Sequence, residues 1–161
     1  MATIKPTGVI LIVDDTPSSP GALVDYLSDS GFRALVARDG ESAIEQAQYA
    51  RPDIILLDVL MPGIDGFETC RRLKADEKTK DIPVIFMTAL SETVEKVKGF
   101  DLGAVDYVTK PIQHEEVLAR VATHLTLRNL QKRLQEARDQ LELHIQERTA
   151  ELSQANALLQ S

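Results

Sequence analysis

Five polar side chains in this sequence stand at the ends of apolar runs. Asp14 and Asp15 follow Gly8–Val13, Asp58 follows Ile54–Leu57, Thr88 follows Ile82–Met87, and Lys110 lies just past Ala104–Val108. Short apolar runs bounded by turn residues fit strands buried on both faces. In an open parallel sheet, ligands and chemistry sit at the carboxyl ends of the strands. Three carboxylates gathered there repel one another and stay ionised only with cations among them. Lys110 supplies one positive charge, and a hard divalent cation with oxygen ligands, Mg²⁺ (or Mn²⁺), would supply the rest. The same set is an electrophilic cradle for a phosphoryl group, with a hydroxyl and backbone N–H groups to bind its oxygens. A carboxylate inside such a cradle is a nucleophile able to form an acyl phosphate.

The elements that must position these residues follow from the pattern between them. Gly8–Val13 reads as a first strand. A helix with Leu23, Val24 and Leu27 at helical spacing follows and ends at Gly31. Two starts are open for it: Ser19 as cap with Pro20 in first position, or Thr16 with Pro17 one turn earlier. Phe32–Ala37 is a second strand, Asp39-Gly40 a turn, and Glu41–Ala50 a helix with Ala43, Ile44 and Ala47 inward. Asp53–Asp58 is the third strand, and Asp65 caps the helix that carries Phe67, Cys70 and Leu73. Asp81–Met87 is the fourth strand, Ser91 caps a helix through Gly99, and Ala104–Val108 is the fifth strand. Strand and helix alternate with short connections, which requires a parallel sheet covered on both faces.

The fifth helix runs on. From Gln113 to Ser161 there is neither proline nor glycine. Val117, Leu118, Val121 and Leu125 form a stripe facing the domain. The apolar positions then narrow to a seam at Leu127, Leu130, Leu134, Ala137 and Leu141, in alternating steps of three and four, which is a heptad. Two steps of four in succession lead to Ile145, and the seam resumes at Arg148, Leu152, Ala155 and Leu159. Such a stutter locally unwinds a left-handed supercoil. A helix this polar with a bare leucine stripe implies a partner helix, parallel or antiparallel.

Composition narrows the function classes. The chain has 161 residues, 43% hydrophobic and 27% charged, with a net charge of -7. That length suits one domain with an appendage. The acidic balance argues against non-specific nucleic-acid binding, which needs a basic footprint, and no direct DNA binding is expected. No apolar run is long enough to span a membrane, and the leader before Gly8 has no signal-peptide core. The single cysteine, Cys70, allows no internal disulfide and points to the cytoplasm.

Residues 8 to about 127 resemble the receiver domain of two-component response regulators. The resemblance is carried by Asp14-Asp15, by Asp58-x-x-Met61-Pro62-Gly63-x-Asp65-Gly66, by Thr88-Ala89 and by Lys110-Pro111, each after the appropriate strand. Any one of these motifs is weak, whereas the four in order are specific. The resemblance implies an α/β, flavodoxin-like (βα)5 doubly wound sheet in strand order 2-1-3-4-5, its fifth helix extended into a coiled coil. It implies Asp58 as phosphoacceptor. Asp15, Asp58 and the Leu60 carbonyl would ligate Mg²⁺, with Asp14 acting through water. Lys110 would pair with the phosphoryl group or Asp58, through a cis Lys110–Pro111 bond. Thr88 would bind the phosphoryl oxygen, and Tyr107 would be the aromatic that turns inward as Thr88 moves. A histidine kinase or histidine phosphotransfer protein would be the donor. Leu60 and Leu90 are expected to shield the phosphoryl group from water.

The division expected is a leader at 1–7, a receiver at 8–127 and a dimerisation helix at 128–161, giving a homodimer through Leu127, Leu130, Leu134, Leu141, Ile145, Leu152 and Leu159. Glu147-Arg-Thr-Ala-Glu-Leu resembles linkers into cyclase or kinase domains, so an effector is expected beyond Ser161. Two rivals stand beside this reading. A phosphorylation-independent dimerisation scaffold would leave the acidic set without a purpose. An aspartyl-nucleophile phosphohydrolase would need a substrate cap, and no segment between the strands is long enough for one. Cys70 reads as structural, and His114, His124 and His144 as solvated residues of a polar helix.

Overall fold

The computed structural model describes residues 8–15, 20–89 and 98–159. Its elements are β1 (Gly8–Val13), α1 (Pro20–Asp29), β2 (Phe32–Ala37), α2 (Gly40–Ala50), β3 (Ile54–Asp58), α3 (Gly66–Ala75), β4 (Val84–Thr88), β5 (Asp106–Thr109) and a C-terminal helix, His114–Leu159. The five strands form one sheet in the order β2-β1-β3-β4-β5, and every neighbouring pair is parallel. This is the flavodoxin-like architecture. The reversal of strand order at β1 and β3 brings the ends of these two strands side by side, with Val13 level with Leu57.

The strands are apolar throughout because both faces are covered. Every residue of β3 and β4 is buried. Their alternation splits the core into two. Leu11, Val13, Ile55, Leu57, Val84 and Phe86 meet α2 and α3 on one face. Ile10, Ile12, Ile54, Leu56, Ile85 and Met87 meet α1 and the start of the C-terminal helix on the other. The domain-facing stripe expected on that helix is there, with Val117, Val121 and Leu125 buried and Leu118 packed beside them.

Several boundaries differ from the sequence reading, each for a local reason. The two starts open for α1 turn on Thr16, Pro17 and Ser19, which lie outside the described residues; the described helix begins at Pro20. Asp39 and Gly40 do not make a free turn: Asp39 Oδ1 accepts from Ser42 N at 2.7 Å, so Asp39 is the N-cap and Gly40 already helical. Strand β4 begins at Val84, not Asp81. Ile82 N bonds to Thr79 O at 3.1 Å in a turn, and Pro83, which has no N–H, offers only its carbonyl, to Ile55 N. Strand β5 likewise starts two residues later than expected and runs through Thr109. The Ser91 cap and most of the expected fourth helix lie outside the described residues. Residues 98–101 are helical, so that helix passes Gly99 and ends before Gly103, whose φ is +99°.

The chain divides into two compact units, Met1–Leu125 and Thr126–Ser161. The second is the continuation of the C-terminal helix. Within residues 126–159 every residue is exposed except Arg128, which is half-buried. Among the described residues, no helix is long and apolar enough to cross a membrane.

Candidate functional site

The carboxyl end of the sheet collects the residues that the sequence singles out. Asp14 and Asp58 are buried and Asp15 is half-buried, with one carboxylate oxygen from each lying within 4.8 Å of the others. Asp14 is held in place by its backbone, since its N–H donates to Ala37 O at 3.0 Å in continuation of the β1–β2 ladder. Asp58 is the last residue of β3. Its Oδ1 accepts from Leu60 N at 3.3 Å, and its Oδ2 accepts from Lys110 Nζ at 2.9 Å. Lys110 is aimed there from just past β5 by its own N–H, which donates to Thr88 O at 2.8 Å, and the Lys110–Pro111 bond that follows is cis.

Burial pushes the Asp58 carboxyl above its ordinary range. The Lys110 ammonium opposes that rise, the Asp14 carboxylate adds to it, and the Leu60 N–H opposes it again. The result is a carboxylate that is short of positive charge. Three acidic oxygens from two adjacent strands, with one ammonium among them, form a hard oxygen donor set that fits a small divalent cation.

Thr88 closes β4 and is buried, and Tyr107 on β5 is half-buried. They line one cleft together with Val59, Phe86 and Phe100, and the Tyr107 and Phe100 rings meet edge to face at 6.0 Å. Leu60 is 63% exposed beside the acceptor, and Leu90 lies outside the described residues. A second cleft of about 240 Å³ opens beside Asp14 and Lys110, walled by Leu23, Ile112 and His114. The seam residues from Leu127 to Leu159 lie in the other unit and are not part of this site.

Two of the three histidines are not simply solvated. His114 packs on Tyr26 of α1 with ring centroids 5.3 Å apart. His124 is largely buried, its Nε2 2.9 Å from Asp106 Oδ2, while Arg120 Nη1 donates to both oxygens of Asp106 at 2.9 Å. Asp106 also accepts from the N–H of Tyr107 at 2.8 Å. Burial alone would raise the Asp106 carboxyl, but the bonds from His124, Tyr107 and Arg120 outweigh it and hold it below the usual range. The only sequence clue to this junction is that Arg120 and His124 share a helix face at i,i+4. Cys70 is buried, its thiol pushed up to about 11 by burial, which makes it a packing residue.

Comparison with known proteins agrees with this geometry. Residues 10–122 match the family model of the response regulator receiver domain. The chain is 46% identical over 112 residues to the DNA-binding dual master transcriptional regulator RpaA of Synechocystis sp., covering 70% of this chain and 46% of that protein. It is 44% identical over 112 residues to the response regulator PleD of Caulobacter vibrioides, covering 70% of this chain and 25% of that one. The solved structure of the chemotaxis protein CheY4 of Vibrio cholerae superposes with a TM-score of 0.68 at 31% identity, covering 72% of this chain and 97% of that one. The chain therefore belongs to the response regulator receiver family of two-component signalling. It spans about half or less of the length of the curated relatives it matches.

Proposed function

We propose that this chain is a phosphoacceptor module that receives a phosphoryl group on Asp58 and passes the change to the C-terminal helix. The observation that carries this reading is the convergence of Asp14, Asp15 and Asp58 within 4.8 Å, with Lys110 Nζ 2.9 Å from the acceptor. A Mg²⁺ (or Mn²⁺) ion, held by Asp15, Asp58 and the Leu60 carbonyl, with Asp14 through water, would neutralise phosphoryl oxygens when bound. The donor is the phosphohistidine of a histidine kinase or a histidine phosphotransfer protein. The Asp58 oxygen attacks phosphorus, the P–N bond breaks, and the departing imidazole keeps the electron pair and takes up a proton. Lys110 holds the acceptor oxygen and then the transferred group. The cleft beside Asp14 and Lys110 offers room for the donor ring.

Thr88 then binds a phosphoryl oxygen, and Tyr107 turns into the space beside it. Residues 8–127 act as the receiver and 128–161 as a homodimerising helix, in the cytoplasm and without direct DNA contact. The one helix, His114–Leu159, links the Arg120 and His124 contacts on Asp106 to the seam. The chain catalyses only its own phosphoryl transfer and loss, and Leu60 limits water at the acyl phosphate.

The test is phosphorylation of the full chain by acetyl phosphate with Mg²⁺, read as the gain of one phosphoryl group in the intact mass. We expect the gain in the natural chain and none in Asp58→Asn. Labelling that persists in Asp58→Asn overturns the assignment. Absence of labelling in the natural chain, from this donor and from histidine kinases alike, favours the plain scaffold. Leu60→Asn is expected to shorten the lifetime of the label several-fold, which a chase after donor removal measures.

A further inference from the structure

We infer that the exposed seam of the C-terminal helix pairs with the seam of a second copy in antiparallel orientation, with the two-fold axis at Leu141. This rests on the homodimer reading above and adds its orientation. The first observation is the spacing. Leu127, Leu130, Leu134 and Ala137 approach Leu141 in steps of three, four, three and four; Ile145, Arg148, Leu152 and Ala155 leave it in steps of four, three, four and three. The series reads the same in both directions. A helix turned end for end about Leu141 therefore places each seam residue from Leu127 to Ala155 on another residue of that stretch, while Leu159 falls opposite Thr123. Leu127 meets Ala155 of the second copy, Leu130 meets Leu152, Leu134 meets Arg148, Ala137 meets Ile145, and Leu141 meets itself. The stutter, a discontinuity in a one-way heptad, becomes the centre of symmetry.

The second observation is what each orientation puts face to face. Parallel in-register pairing stacks Arg148 on Arg148 and the small Ala137 and Ala155 each on its own copy. Like charges in a desolvated layer and paired small residues both weaken a seam. Antiparallel pairing sets each alanine against a large residue. It also separates the two arginines, each lying against a leucine with its own Glu151 carboxylate 3.8 Å away. The flanks agree. Parallel pairing faces Arg133 with Arg138, like with like. Antiparallel pairing faces Arg133 with Glu151 and Arg138 with Glu142, twice each by symmetry. The seam is available for this, since Leu134 is 63% exposed and Ile145 54%.

Cysteine crosslinking of the full chain decides the matter. Leu141 meets itself in both orientations, so Leu141→Cys is expected to form a disulfide dimer on oxidation. Its failure, with a monomer in sedimentation, overturns the homodimer reading and this inference with it. Leu130→Cys alone is expected not to crosslink, whereas a mixture of Leu130→Cys and Leu152→Cys chains gives the mixed disulfide. Self-crosslinking of Leu130→Cys beside a positive Leu141→Cys overturns the antiparallel orientation and leaves the dimer standing. Charge reversal gives an independent sign. Arg133→Glu is expected to weaken dimerisation roughly tenfold, because the new carboxylate faces Glu151. In a parallel pair it would face Arg138 and tighten the dimer, which would refute the inference.

Discussion

At the scale of single residues, the site is built at a cost in stability. The folded-state pKa of Asp58 is raised by burial, so its ionised form is less favourable in the folded chain than in the unfolded one. Its favourable contribution is present below the ordinary carboxylate range and is lost as pH rises through the folded-state value. At neutral pH and without divalent cation, Asp58→Asn should therefore raise the thermal midpoint by a few degrees, roughly 1 kcal/mol. The advantage should close as pH falls below about 4, which melting curves across pH would reveal. Added Mg²⁺ should reverse the order, stabilising the natural chain by about 2.7 kcal/mol at a hundred times its dissociation constant and Asp58→Asn much less. The main polar residues of this site were legible in the sequence because each stands directly at the end of an apolar run. Asp106 and His124 were not, because they are 18 positions apart and meet only once β5 and the C-terminal helix have packed.

At the scale of elements, two contacts hold the frame, and neither shows in hydrophobic periodicity. Gly66 opens α3 so close to the end of β3 that an added Cβ would run into the Asp58 carbonyl oxygen and sit 2.7 Å from Val59 Cα. Its N–H donates to Val59 O at 2.8 Å, which ties the helix start to the acceptor segment. In the sequence this glycine stands out only as the last residue of the motif that begins at Asp58. Gly66→Ala should cost about 2–3 kcal/mol by forcing the backbone apart, and should slow phosphorylation by shifting Asp58; urea unfolding and the labelling rate measure the two effects. The Asp106 junction joins β5 to the C-terminal helix. Its depressed carboxyl pKa makes it a contribution present above the ordinary carboxylate range and lost as pH falls through the folded-state value. Asp106→Asn should cost about 1.5 kcal/mol at pH 7, and its deficit against the natural chain should vanish in strong acid. The strands themselves were legible because parallel strands buried on both faces are nearly continuous apolar runs. Their ends were not, since the start of β4 depends on where Pro83 withdraws a donor and Thr79 captures Ile82.

At the scale of the whole molecule, the two units draw stability from different sources. The first has a two-sided core in which Ile10, Leu11, Ile12, Ile54, Ile55, Leu56 and Leu57 are all fully buried. The second has no core of its own: its leucines are exposed along the whole seam. A lone helix gains little beyond its propensity, and most helical stability in proteins comes from packing an apolar face. Residues 126–159 should thus hold their helix mainly when the seam is covered, whereas the receiver should stay folded at any dilution. Circular dichroism on serial dilution should show helix content falling at a midpoint that coincides with dimer dissociation in sedimentation. Near-ultraviolet signals from Tyr26 and Tyr107, both in the first unit, should not change. A helix content independent of concentration down to fully monomeric samples would mean that the charged flanks alone, such as Arg148 with Glu151, sustain the extension. The seam would then be a rigid spacer that needs no partner.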